Sequence, residues 1–392
     1  MNKLKILVVV MSVVSMFNSA FGQTWIQQTN APINNWIGIA SSADGTKVVA
    51  AAAESVVNAQ PVYQGIYAST NSGLSWSLTG APITNWTAVA SSADGNKLVA
   101  AGGVFQIYIS FDSGASWSTN TTTTPGPIAS IVSSADGMSL VALFKDPRVW
   151  WSLICLSTNT GTSWTQAIVP KSIWEAVASS ADGHKLIAVG STIYTSTNSG
   201  TTWVSSNVTI QNWKAVASSA DGNRFLAAVY GGGIYISTNS GIDWTQTDAP
   251  NTGWQAVASS ADGSRSVAAV YGGGIYISTN SGINWTQTDA PNFNWKAVAS
   301  SADGNQFVAV AYGGGIWTYQ TTPAPQLNLT PSPTNIAISW LIPSTNFVLQ
   351  QSSDLISWSS ITDTPTLNLT NLNNELSISP TNSTGFYRLS TP

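Results

Sequence analysis

Short apolar runs alternate with polar clusters along most of the chain. Runs such as Trp213-Lys214-Ala215-Val216-Ala217 and Phe225-Leu226-Ala227-Ala228-Val229-Tyr230 are rich in small, branched and aromatic residues. They are too short for ordinary helices and have the composition of strands. The clusters between them contain Asp-Gly and Asn-Ser-Gly, which accept positive φ at low cost and therefore read as tight turns. One stretch shows the whole pattern. Trp213–Ser219 is a strand of small residues, and a turn follows at 220–223. Arg224–Tyr230 is the second strand, and Gly231-Gly232-Gly233 interrupts it. Ile234–Ser237 is the third, a turn falls at 239–241, and Asp243–Gln246 is the fourth.

The pattern repeats. Ser-Ser-Ala-Asp-Gly begins at Ser41, Ser91, Ser133, Ser179, Ser218, Ser259 and Ser300. A second string, Ser-Thr-Asn-Ser-Gly-x-x-Trp with small variations, follows each copy but the last, as at Ser237–Trp244 and Ser278–Trp285. Four strands in a period of about 40–45 residues predict a β-propeller blade; a β-helix uses much shorter repeats. The seventh copy stops after Ile316–Tyr319 without a fourth strand. The missing piece stands at the start, where Thr24-Trp25-Ile26-Gln27-Gln28-Thr29 matches Asn284-Trp285-Thr286-Gln287-Thr288-Asp289. The expectation is an all-β chain: a seven-bladed propeller over 23–319, closed by its N-terminal strand so that no sheet edge is left open.

Ser110-Phe111-Asp112-Ser113-Gly114-Ala115-Ser116-Trp117 fits Ser-x-Asp-x-Gly-x-x-Trp throughout. It resembles the Asp-box, or BNR, repeat of sialidase-like propellers. The other five copies carry Asn71, Asn159, Asn198, Asn239 and Asn280 in place of Asp. Asn can make the same side-chain-to-backbone turn bond. The resemblance spans about 24–319 and implies a fold more than a function. It is nearer to photosystem II assembly factors than to catalytic sialidases. Sialidase chemistry would imply three Arg on a carboxylate, a Tyr nucleophile with a Glu, and an Asp acid/base. The propeller has only Arg148, Arg224 and Arg265, and the last two share one turn register.

Residues 1–22 have a basic start at Lys3 and Lys5, an apolar run from Ile6 to Phe17, and small residues at Ala20 and Gly22. That is the pattern of a signal peptide cut near Gly22, and the run is too short for a membrane span. A secreted or cell-surface protein follows, with no membrane insertion. A Pro/Thr linker at 320–325 leads to 326–392, which lacks the repeat. Alternation at Ile336–Trp340, Phe347–Gln350 and Phe386–Leu389 predicts a small β-sandwich of immunoglobulin or fibronectin III type.

Composition narrows the function. The 392 residues hold 13 Lys+Arg against 17 Asp+Glu, for a net charge of −4. No basic patch for nucleic acid is evident. One His and one Cys exclude a multi-His zinc site, an intramolecular disulfide and a Ser-His-Asp triad. No cofactor or metal is expected. Cys155 lies in an apolar run and His184 in a turn. The seven Asp of the Asp-Gly turns are expected to be structural. Lys47, Lys97, Lys185, Arg224 and Arg265, just after those turns, are expected on a solvated rim. The Gly-Gly-Gly runs precede strands, not helices, so they are not phosphate loops, and flexible loops are expected there.

The opposite face is the candidate site. After the Trp of each first strand stand Ile37, Thr87, Glu175, Lys214, Gln255 and Lys296. That position varies while its neighbours hardly change, as a binding mouth would. Glu175, Lys214, Gln255 and Lys296 would contact polar groups, and Tyr230, Tyr271, Tyr312 and Trp150 would stack. Glu54, Asp146 and Arg148 would line the rim. The expected activity is non-catalytic recognition of an extracellular glycan or protein by a monomer. The alternative is a glycoside hydrolase drawing a carboxylate pair from Glu54, Asp146 and Glu175. A structural scaffold is a third class.

Overall fold

A computed structural model describes residues 24–392 apart from 58–59, 63, 104–105, 121–125, 146–150, 209, 211, 321–326, 332–334, 342–347, 353–356, 369, 371–372, 379–385 and 391–392. The expected signal peptide and nearly all of the expected linker therefore lie outside the described residues. The described chain divides into two compact units, one over 24–320 with Thr370 and one over the remaining described residues from 327 on.

In the larger unit each repeat forms a four-stranded antiparallel meander. In the repeat at 213–246 the strands are Trp213–Ser218, Phe225–Gly232, Ile234–Ser237 and Thr245–Gln246. The outer strand is shorter than the pattern suggests. Trp244 belongs to the preceding turn, where its indole N–H donates to the Gly241 carbonyl at 3.1 Å. The last repeat takes its outer strand from the chain start. Ile26 pairs with Thr318 and Gln27 with Trp317, antiparallel.

Asp-Gly turns shape one end of every repeat. In the repeat at 213–246, Asp221 accepts bonds from the Ser219 hydroxyl and the Asn223 N–H, and Gly222 takes φ +63°. These turns also join the repeats. The Ala43 N–H donates to the Ala93 carbonyl, Ala93 to Ala135, Ala135 to Ala181 and Ala181 to Ala220. Ala220 then donates to Ala261, Ala261 to Ala302, and Ala302 back to Ala43, all at 2.7–2.8 Å. The series returns to its starting residue.

The basic residues after these turns are not merely a solvated rim. A Cβ on Gly95 would lie 2.7 Å from the Lys47 stem, and one on Gly263 would lie 2.8 Å from Arg224. Each stem lies over the next repeat's turn glycine, while its head bonds there, as Lys97 does to the Asp136 carbonyl at 2.7 Å. Long basic side chains cover apolar surface while keeping their charge wet.

The core lies between neighbouring meanders. Trp36, Trp86, Trp174, Trp213, Trp254 and Trp295 lie at or near the start of the first strands and are at most 1% exposed. Trp254 packs against Tyr276 at 5.2 Å and Trp285 at 6.4 Å between ring centres. It also joins Leu226 and Ile234 of the preceding repeat in one apolar cluster. Cys155 is buried in such a cluster, and burial pushes its thiol up to about 11.

The Asn-containing turns match the one with Asp. Asp112 accepts from the Ser110 hydroxyl at 2.8 Å and the Ser116 N–H at 2.8 Å. Asn239 Oδ1 accepts from the Ser237 hydroxyl and the Asp243 N–H, both at 3.0 Å.

In the smaller unit, Leu327–Pro331, Ile336–Leu341, Asn373–Ile378 and Thr366–Asn368 form one sheet. Ser359–Ser360, Val348–Ser352 and Phe386–Ser390 form a second. Ile338 and Trp340 of the first share a core with Leu349 and Tyr387 of the second.

Candidate functional site

Every first strand of the larger unit carries a β-bulge at the position that varies in sequence. In Trp174–Ser179, Trp174 faces Gly190 and Ala176 faces Val189, so Glu175 is the extra residue. The same break falls at Ile37, Thr87, Ala129, Lys214, Gln255 and Lys296. A bulge turns its residue out of the regular alternation and re-aims the side chain. Variation is tolerated there because these side chains leave the regular alternation and none is fully buried.

Three of the expected site residues meet electrically, together with one that sequence reasoning did not assign. Glu175 Oε2 lies 3.0 Å from Lys145 Nζ and 3.1 Å from Lys214 Nζ. Burial pushes the Glu175 carboxyl up, but the two ammonium groups outweigh it and the net shift is down. Lys296 is half-buried. Burial, then the positive charges of Lys214 and Lys145, pull its ammonium below the usual lysine range. Among the described residues Lys296 has no anionic partner.

Lys145 ends the second strand Leu140–Lys145. Counted from the first residue of that strand, it holds the position of Tyr230 in Phe225–Gly232. Tyr271 holds it in Ser266–Gly273, and Tyr312 holds it when the count starts at Phe307, which faces Ser300 as Phe225 faces Ser218. Aligning second strands on the residue seven after the first Ser of each Ser-Ser-Ala-Asp-Gly string would have found it. The register was masked because 146–150 breaks the repeat.

The three tyrosines are 56%, 53% and 48% exposed, so their rings face solvent. The Gly runs beside them are strand, not flexible loop. Tyr230 pairs with Gly253 of the next repeat, Tyr271 with Asn294 and Tyr312 with Asn35. Gly231, Gly272 and Gly313 take φ +75°, +70° and +67°, and the second strand runs on through them to reach across the boundary. At the equivalent place after 146–150, Lys171 sits 4.4 Å over the Trp151 ring.

Other residues lie elsewhere or play other parts. Gln255 occupies the bulge between those of Lys214 and Lys296. Asp146, Arg148 and Trp150 lie outside the described residues. Glu54 is half-buried, and its backbone is held by Asn85 and Asn35. No hydrogen bond or ion pair joins its carboxylate to Glu175 among the described residues. Asp248 and Asp289, which hold one register in two repeats, accept bonds from the N–H groups of Trp285 and Trp25 in the adjoining turn segments. His184 Nδ1 lies 2.9 Å from the Ser199 hydroxyl in an exposed turn. No group of three or more His, Cys, Asp or Glu side chains gathers as a metal site among the described residues.

Comparison with known families gives no matching family model, and no curated protein matches. Solved structures do match. A structure described as YCF48 bound to D1 peptide is 18% identical with a TM-score of 0.57, over 76% of this chain and 96% of that one. YCF48 from Cyanidioschyzon merolae is 16% identical with a TM-score of 0.59, over 76% and 98%. The GH74 xyloglucanase from Xanthomonas campestris is 14% identical with a TM-score of 0.57, over 81% and 59%. The chain is a β-propeller.

At these identities the likeness speaks for the fold alone, and each meander is a blade. The first strands of a propeller's blades line a central channel. Glu175, Lys214, Gln255 and Lys296 are thus bulge residues on the channel-side strands of successive blades. The Tyr tips stand at the same end, because Tyr271 pairs with Asn294, two residues before Lys296. Among the described residues, Lys145, Lys214 and Lys296 thus gather with the single carboxylate of Glu175 at the end of the blades where Tyr230, Tyr271 and Tyr312 face solvent.

Proposed function

We propose that the chain is an exported, monomeric, seven-bladed propeller of Asp-box type with a C-terminal β-sandwich. Its function is non-catalytic recognition of an extracellular glycan or protein at the channel mouth. The observation that carries this reading is the bulge register. A constant frame turns a varying set of side chains toward one opening, beside solvent-facing tyrosines on an ordered strand extension. The closed series of alanine hydrogen bonds supports the blade count. The two sheets around Trp340 support the sandwich.

Hydrolysis by a carboxylate pair fits less well. Glu175 is held as an anion by two lysines and so is unsuited to donate a proton. A hydrolase needs one carboxyl kept protonated as the acid. The binding of a peptide by the YCF48 structure is a precedent on a similar fold for a polymer as ligand.

The test is a glycan array and a peptide array probed with residues 23–392, with released sugars assayed in the same wells. Binding that weakens in Tyr271→Ala without release of sugar is the expected result. Sugar release would overturn the reading and turn attention to Glu54, Asp146 and Glu175.

A further inference from the structure

The charge at the channel mouth is unbalanced. Lys145, Lys214 and Lys296 interact with one another, yet Glu175 is the one carboxylate among the described residues that pairs with any of them. Both of its close contacts use the same oxygen, Oε2, and both go to Lys145 and Lys214. Lys296 remains. A half-buried ammonium without a counter-ion is costly, and lysines held close together repel. A protein of net charge −4 does not need three lysines there for solubility. An incoming anion would relieve both costs.

The blade register says what lies beside that anion. Lys145 and Glu175 touch at 3.0 Å, so a residue ending the second strand of one blade reaches the bulge residue of the next. Tyr271 and Lys296 hold the same two positions one boundary before the last blade. Asn294, the partner of Tyr271, is exposed and makes no side-chain hydrogen bond among the described residues. It stands about 7 Å along the strand from Lys296, at roughly 3.3 Å per residue. Tyr230 and Gln255 repeat the arrangement at the preceding boundary, without charge. Each boundary thus offers an aromatic face beside a polar tip, and only one of the two tips is a free cation. An aromatic face with flanking amides suits a sugar ring.

Resting on the recognition reading above, we propose that the ligand is an acidic glycan. One uronate carboxylate seats on Lys296 with its ring against Tyr271, and an uncharged portion of the chain lies across Tyr230 and Gln255. Glu175 holds Lys145 and Lys214 in place and limits the site to a single negative charge.

The test uses the full chain from residue 23 and calorimetric titration with hyaluronan and glucuronoxylan, in which uronates are spaced by uncharged sugars. Each is paired with its carboxyl-reduced form, in which the uronates have become neutral sugars. An acid form should bind, and its reduced form should bind at least about tenfold more weakly. Lys296→Gln should lose a similar factor, Lys296→Arg should keep most of the affinity, and Glu175→Gln should tighten binding. Unchanged thermal melts of the Lys296 variants show that the fold is kept. Equal binding of acid and reduced forms, or indifference to Lys296→Gln, overturns the carboxylate assignment and leaves the recognition reading standing. Binding of peptides with a free C-terminus but of no glycan overturns the sugar assignment. Binding of neither class overturns both.

Discussion

Trp25 should matter far more than the tryptophans that share its place in the repeat. It stands in the segment that lends the last blade its outer strand. It is 5% exposed, whereas Trp285, its equivalent one blade earlier, is only half-buried. Trp25 packs on Tyr319 at 5.4 Å and Trp295 at 6.4 Å. Trp25→Ala opens a cavity at the one joint where the two ends of the propeller meet, and such truncations cost about 3–5 kcal/mol. Trp285→Ala removes a side chain already half in water and one indole hydrogen bond to Gly282. Its cost should be about 1–2 kcal/mol. At roughly 2–4 °C per kcal/mol, the melting point should fall by about 6–20 °C in the first variant and about 2–8 °C in the second. Trp25→Phe should fall in between, because the indole N–H has no partner to lose. Differential scanning calorimetry reads all three. Equal shifts for Trp25→Ala and Trp285→Ala would refute the idea that the N-terminal strand closes the propeller.

Gly304→Ala should destabilise by clearly more than Gly272→Ala. Both have positive φ, which costs roughly 1–2 kcal/mol with a side chain, but only a Cβ at 304 would collide, 2.6 Å from Arg265 Cβ. Urea denaturation of the two variants compares them. Asp303 and Asp221 occupy the same turn register and should respond oppositely to pH. Burial outweighs the hydrogen bonds of Asp303 and holds its carboxyl up at about 6, so the folded state keeps a proton that the unfolded chain releases. Asp303 therefore costs stability as pH rises from about 4 to about 6, by up to about 3 kcal/mol, and Asp303→Asn should gain on wild type over that window. Asp221, whose hydrogen bonds outweigh its burial, is shifted down. Its contribution is present above the ordinary carboxylate range and fades as pH falls below it, so Asp221→Asn should lose stability at pH 7. Cys155, with its thiol pushed up to about 11, should resist alkylation at pH 8 in the native state and react only on unfolding. Mass spectrometry of iodoacetamide-treated protein across a urea series reports this.

The blades were legible because their signals are local. Asp-Gly and Asn-Ser-Gly set each turn, and alternation between them sets each strand. The pairing of Ile26–Gln27 with Trp317–Thr318 was legible too, since the chain start copies an internal segment. What escaped lies between blades. Gly231-Gly232-Gly233 reads as a breaker, yet the second strand runs through Gly232 because Thr252 of the next blade supplies a partner. The stems of Lys47 and Arg224 look like solvated charges until the next blade's glycine is placed beneath them. The role of Lys145 escaped for the same reason. Its meaning comes from Glu175 on the neighbouring blade, and no local pattern encodes that contact.

The joint between Gln27 and Trp317 also sets a timetable. The first strand of the ring to be made is among the last to find its place, because its partner lies about 290 residues downstream. At roughly 5–20 residues per second, synthesis alone keeps that segment waiting for about 15–60 s. Throughout that time Trp25 has no Tyr319 or Trp295 to cover it. The half-made chain thus carries an apolar edge at its leading end, and whatever holds it unfolded until the last blade emerges protects the molecule from pairing with a neighbour's blade instead of its own.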